Sequence, residues 1–201
     1  MDRKQFNDFC KVKYDDQWLG DTKSGSGSTL AYTSGLVDFL TSFITRHKVT
    51  YILDVPCGDM AWMSKVIDKS PPLEYVGVDI SPKSVSRARE NCPTASIFSG
   101  DLLKFPFVGA DLIICRDLMF HCSLDMGLDI LDKVKRSGCR FFGATTFDCP
   151  ENTDVSSYGW RPLSLEKSPF FLPPSLESHL EPQGTYELNH PPRYFSIYSM
   201  A

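Results

Sequence analysis

YILDVPCGDMAW, residues 51–62, reads as a buried strand that breaks into a glycine turn at the mouth of a helix. A nucleotide-like cofactor usually sits at such a turn. One strand–helix unit later comes a second apolar run, EYVGVDI over residues 74–80, which again ends on an acid, Asp79. Asp54 would stand at the carboxyl end of the first strand, and Gly58 would let the backbone pass close to a ligand without a Cβ in the way. A right-handed crossover brings Asp79 to the neighbouring strand, where one carboxylate can take both hydroxyls of a ribose. Two strand ends then form one crevice.

The spacing of this turn is informative about what it excludes. A dinucleotide fingerprint needs three spaced glycines, whereas Pro56 and Met60 occupy the outer positions here and only Gly58 remains. A pyrophosphate would fit poorly. Further along, SGDL (99–102) follows a short strand expected over 95–98, and ADLIICRDLMFH (110–121) supplies a fourth buried strand that ends in Cys115-Arg116-Asp117.

These residues resemble the class I S-adenosylmethionine-dependent methyltransferases, whose first motif is an acid followed by a short glycine-rich turn and whose second strand ends on a ribose-binding acid. S-adenosylmethionine carries no phosphate, so a single close backbone approach suffices. The chain is further similar to a subgroup with SGSGS (24–28) ahead of the first helix, DxPCGDxxWM in the first motif, CRD followed by a histidine, TTF, GWRP (159–162) and PFFLPPS. The resemblance spans nearly the whole chain. It implies a Rossmann-like α/β fold: a mostly parallel seven-stranded sheet with an antiparallel C-terminal strand and helices on both faces. Residues 1–201 are expected as one domain, with an N-terminal cover and helix (1–48), a cofactor-binding core (49–148), and a cover loop with closing antiparallel strands (149–201).

Composition is compatible with that class. At 201 residues, 42% hydrophobic and 23% charged, the chain is long enough for a two-sided sheet core. A formal net charge of −4 argues against a broad electrostatic hold on nucleic acid, which draws on clustered Lys and Arg. KVKRSGCR (133–140), the densest basic run, reads as a solvated helix end. Seven cysteines without CxxC spacing suggest neither a zinc site nor a disulfide framework. With no long apolar stretch and no signal-like N-terminus, the expectation is a soluble, cytoplasmic protein without a membrane partner.

Periodicity places the elements. Leu36, Phe39, Leu40, Phe43 and Ile44 recur at three and four residues and predict a helix over Thr33–His47. Further helices are expected over Asp59–Asp68, over Pro82–Glu90 with Ser81 as N-cap, and over Ser123–Lys135. Cys139–Phe147 should be the fifth strand, and TYELNHPPRYFSIYSM (185–200) two short strands separated by Asn189–Arg193. Seven of the 14 prolines follow Trp160, so residues 149–182 read as an irregular cover.

The cofactor set expected from motif and resemblance is Trp18, Ser26, Asp54, Pro56, Gly58, Asp59, Trp62, Asp79, Ile80, Asp101, Leu102 and Arg116. Methyl transfer asks little of side chains beyond orientation and exclusion of water. If the acceptor needs a base or an orienting group, Asp117 and His121 are the candidates, four residues apart on a helical turn. Asn152, Trp160 and Arg161 would face the substrate, Arg161 as a bidentate clamp for an acidic group. No metal is expected. The function expected is S-adenosylmethionine-dependent methyl transfer to an unidentified acceptor, with small molecules among the candidates. Two alternatives stand beside it: a noncatalytic S-adenosylmethionine-binding partner protein, and an aminopropyltransferase on the same fold.

Overall fold

A computed structural model describes residues 22–155, 159–183 and 190–200, together with Asp8. Trp18 and the strand expected over residues 185–188 lie outside the described residues. Among the described residues seven strands form one sheet: β1 (Tyr51–Asp54), β2 (Glu74–Asp79), β3 (Ser96–Ser99), β4 (Leu112–Cys115), β5 (Phe141–Phe147), β6 (Glu177–Leu180) and β7 (Arg193–Ser199). Their order is β3-β2-β1-β4-β5-β7-β6. The first five pair in parallel, while β7 runs antiparallel to both β5 and β6.

Among residues 22–200 as described, four α-helices accompany them: α1 (Leu30–His47), α2 (Met63–Lys69), α3 (Pro82–Asn91) and α4 (Leu124–Ser137). Their ends follow local chemistry. Thr29, Ser81 and Ser123 each accept a bond from a backbone N–H of the first turn, at Tyr32, Ser84 and Met126. Gly138 closes α4 in the left-handed conformation, as a C-terminal glycine does. Helix α2 starts later than the sequence suggests. Met60, at φ +59°, and the Asp59 carboxylate hold residues 59–62 in a tight turn, so the helix begins at Met63.

Alternation along the strands sorts the core onto the two sheet faces. Ile52, Leu112, Ile114, Phe195 and Ile197 pack with the apolar stripe of α1 and with residues of α2 and α3. Leu53, Ile113, Phe142 and Tyr198 pack on the other face against Ile130, Leu131 and Val134 of α4. Leu163, Leu165, Phe170 and Leu172 complete that second layer, so the proline-rich segment after β5 supplies core without being a helix. The penultimate strand is a correction to the sequence reading. It is Glu177–Leu180, which the sequence placed in the irregular cover, because an edge strand that alternates between exposed and half-buried residues carries no apolar run. No helix among the described residues is long and apolar enough to cross a membrane.

Candidate functional site

The crevice opens where β1, β2 and β4 end, around the point at which chain order reverses between β1 and β4, the position at which open α/β sheets bind ligands. Together with the solvent at its open mouth, it spans about 990 Å³. Of the expected cofactor set, Asp54, Pro56, Gly58, Asp59, Trp62, Asp79, Ile80, Asp101, Leu102 and Arg116 line it, and so does Asp117.

Asp79 is the best-defined polar group. One of its carboxylate oxygens accepts the Gly58 N–H at 3.0 Å and the other the Ser81 N–H at 2.8 Å. Burial pushes its pKa up to about 6, against the pull of those amides. Asp54, buried at the end of β1, accepts the Tyr75 hydroxyl at 2.7 Å. Burial is again the main cause that raises its pKa, to about 7, with the Asp79 carboxylate acting in the same direction. Two desolvated carboxylates on one crevice wall favour a cationic ligand. Asp101 turns one oxygen to the Leu103 N–H at 2.9 Å beside Leu102, which packs on the core.

Residues 22–28 form a strap across the same turn. Thr22 donates its hydroxyl to both oxygens of the Asp59 carboxylate, at 3.0 and 2.9 Å, and the Asp59 N–H donates to Ser24 Oγ at 2.8 Å. Gly58 has φ +59°, and a Cβ there would stand 2.5 Å from Ser24 Oγ. Its glycine requirement therefore comes from the strap as well as from the turn. Ser24 and Ser28 line the crevice where the sequence reading named Ser26, which instead opens a 3-10 turn and offers its carbonyl to Thr29 Oγ1 at 3.2 Å.

At the far end of the crevice the structure assembles a buried charge cluster that the sequence only half reveals. Arg116 donates from Nε and Nη2 to Glu181 Oε1, at 2.9 and 2.6 Å, and from Nη2 to the Gly27 carbonyl at 2.7 Å. Its Nη1 lies 3.1 Å from Asp117 Oδ2, and its guanidinium sits 5.2 Å from the centre of the Trp62 ring. Arg193 pairs with both Asp117 and Glu181. Asp117, at φ +56°, is held by Thr145 on both its N–H and its carboxylate. Burial would raise the Asp117 pKa, but Arg116 and Arg193 prevail and hold it below the ordinary carboxylate value. Glu181 and Arg193 had no local signal in the sequence. They lie far from Arg116 along the chain and meet it only through the β7–β6 pairing.

The remaining candidates are elsewhere. His121 ends a 3-10 turn over Met119–His121 instead of sharing a helix face with Asp117, and its Nδ1 lies 3.1 Å from the Gly159 carbonyl. Arg161 is turned inward, giving Nε to the Thr153 carbonyl at 2.7 Å, Nη1 to Met119 at 3.0 Å and Nη2 to Cys122 at 2.8 Å. Those bonds make it a brace and not a surface clamp. Asn152 ties the Ser164 and Ser168 carbonyls, at 2.8 and 2.7 Å, and accepts the Ser164 N–H at 2.7 Å. Trp160 is 38% exposed and packs on Phe147 and His190. Among the described residues no cluster of three metal-ligating side chains occurs.

Residues 52–137 match a family model described as a methyltransferase domain. The fold is similar to that of magnesium protoporphyrin IX methyltransferase (ChlM) from Synechocystis PCC 6803 with bound SAH, at 11% identity and a TM-score of 0.67 over 100% of both chains. It is also similar to the PH0226 protein from Pyrococcus horikoshii OT3, at 18% identity and a TM-score of 0.65 over 93% of this chain and 98% of the other. No curated protein matches the chain in sequence. The domain match covers the motif turn, β2 and β4, and the whole-chain similarity extends the same topology through β7. Residues 52–137 of the chain thus match a methyltransferase domain, and the chain shares the fold of these solved structures.

Proposed function

We propose that the chain transfers the methyl group of S-adenosylmethionine to an acceptor that meets it beside Asp117, at the carboxyl ends of β4 and β5. The reading rests on Asp79, a buried carboxylate at the tip of β2 that faces the crevice. Each of its oxygens takes one backbone N–H and retains acceptor capacity for a ribose hydroxyl. The donor set fits S-adenosylmethionine: Asp79 for the ribose, Asp101 and Leu102 for the adenine, and the Asp54 wall for positive charge. The Synechocystis methyltransferase structures, with bound SAH and bound SAM, support the same ligand for this fold. Bound there, S-adenosylmethionine supplies an activated methyl group on a sulfonium. The protein's share is then orientation and exclusion of water. The strap at 22–28 covers the turn, Trp62 and Arg116 close the far wall, and Asp117 holds a fixed negative charge toward the acceptor side. Held below its ordinary pKa, Asp117 serves as a hydrogen-bond acceptor for an O–H or N–H and is a weak base.

Isothermal calorimetry against S-adenosylmethionine, S-adenosylhomocysteine, decarboxylated S-adenosylmethionine and NAD tests the cofactor. The expected result is binding of the first two, lost by about tenfold or more in Asp79→Ala with the fold retained. Equal affinities for wild type and variant would remove the ribose role of Asp79. Preference for the decarboxylated form would favour aminopropyl transfer, and binding of none would favour a noncatalytic or partner-dependent relative.

A further inference from the structure

Past Asp117, the sheet edge that opens the crevice carries a second group of side chains that cofactor binding does not use. Phe147 ends β5 and is the register partner of Arg193, which begins the antiparallel β7. The end of one strand and the start of the other therefore stand side by side at the crevice edge. Phe120, five residues after the last residue of β4, lies close by, in edge contact with Phe147 at 5.6 Å between ring centres. Onto this pair folds Trp160, edge-on to Phe147 at 5.4 Å and 90°, and stacked on His190 at 4.2 Å and 25°. Arg193 joins the group to the crevice. Its guanidinium lies 5.6 Å from the ring centres of both Phe120 and Tyr32 and pairs with Asp117 on the crevice wall.

Burial is one-sided. Phe120 and Phe147 are buried, whereas Trp160 is 38% exposed and His190 is half-buried. The chain on either side of the indole is pinned, by His121 at the Gly159 carbonyl and by Arg161 at three carbonyls. A large aromatic side chain left partly open on a braced backbone, joined to Asp117 of the crevice wall through Phe120 and Arg193, is suited to contact a ligand.

We infer that Trp160 and His190 form the acceptor wall and that the acceptor is a flat aromatic or heteroaromatic molecule. The inference rests on the methyl-transfer reading of the neighbouring crevice. Rings arranged edge-on and stacked present complementary faces to a further ring, while a saturated acceptor of the same size would gain only from burial. Asp117 then accepts a hydrogen bond from the acceptor's hydroxyl or amine, with Arg116 and Arg193 keeping the carboxylate in place. His121 and Arg161 are positioning residues for this wall, since both act through the backbone that carries Trp160.

The test is calorimetry on the full chain saturated with S-adenosylhomocysteine, using naphthol and its saturated counterpart decalol as probes. Naphthol should bind about tenfold more tightly than decalol. Trp160→Leu and, separately, His190→Ala should remove that preference while the affinity for S-adenosylhomocysteine stays unchanged. Equal affinity for the two probes, no binding of either, or a preference that survives both substitutions overturns the inference while leaving the cofactor reading intact. Failure of S-adenosylhomocysteine itself to bind overturns the reading beneath it and this inference with it.

Discussion

Asp54 and Asp79 carry opposite obligations in the free and the bound protein. Both folded-state pKa values, about 7 and about 6, are raised above the ordinary carboxylate value, so the ligand-free fold binds their protons more tightly than the unfolded chain does. Their contribution to stability is therefore greatest below about pH 4 and declines as pH rises through the folded-state values. Asp54→Asn keeps a partner for the Tyr75 hydroxyl and cannot ionise. It should match the wild type at pH 5 in thermal melts and exceed it increasingly toward pH 8; parallel curves would mean that Asp54 ionises without penalty in the folded protein. A cationic ligand reverses the balance, because it favours the carboxylates. Binding of S-adenosylmethionine by the wild type should thus strengthen from pH 5 to pH 8 and release protons, measurable as a dependence of the calorimetric enthalpy on buffer ionisation enthalpy.

Elements after β5 show where the sequence was readable and where it was not. Arg161 tests this region directly. Its guanidinium bonds the carbonyls of Met119, Cys122 and Thr153, so Arg161→Ala removes three charge-assisted hydrogen bonds and should lower stability by about 2–4 kcal/mol in urea unfolding, with Arg161→Lys recovering only part. A loss confined to acceptor binding, with stability intact, would restore the clamp role that the sequence suggested. Strands β1, β2, β4 and β5 were legible because strands buried on both faces read as continuous apolar runs, and helix starts because Ser81 and Ser123 announce them. Asp54, Gly58, Asp79 and Asp101 were legible for the same reason: each sits at a fixed offset from a strand end. β6 was not, since Glu177–Leu180 is an edge strand of polar alternation. Nor were Glu181 and Arg193, whose partners are distant in sequence, or the inward turn of Arg161, whose carbonyl partners at Met119, Cys122 and Thr153 converge only in the fold.

Across the whole molecule, one cluster ties the N-terminal strap, the crevice and the closing strand pair together. Arg116 bonds Gly27 of the strap and Glu181 beyond β6, and Arg193 of β7 meets Glu181 and Asp117. Removing one member of such a buried set leaves its partners charged and unpaired, a loss of about 3–5 kcal/mol for a buried pair. Substitutions inside the cluster would therefore confuse stability with function. The strap's other anchor can be weakened separately, because Thr22 and Ser24 meet Asp59 and its backbone through hydroxyls, although the Lys23 N–H bond to the Asp59 carboxylate at 2.5 Å stays in place. Ser24 and Ser28 of the strap line the crevice, so loosening the strap is expected to ease the release of a bound ligand. The double substitution Thr22→Val and Ser24→Ala removes hydroxyl bonds that together amount to roughly 1–3 kcal/mol net. Dissociation of S-adenosylhomocysteine, followed by stopped-flow displacement, should accelerate by about tenfold or more with association nearly unchanged, since the closed strap stabilises the complex after encounter. A dissociation rate equal to that of the wild type would show that the strap opens independently of the ligand, and the N-terminal segment would then be scaffold and not a cover.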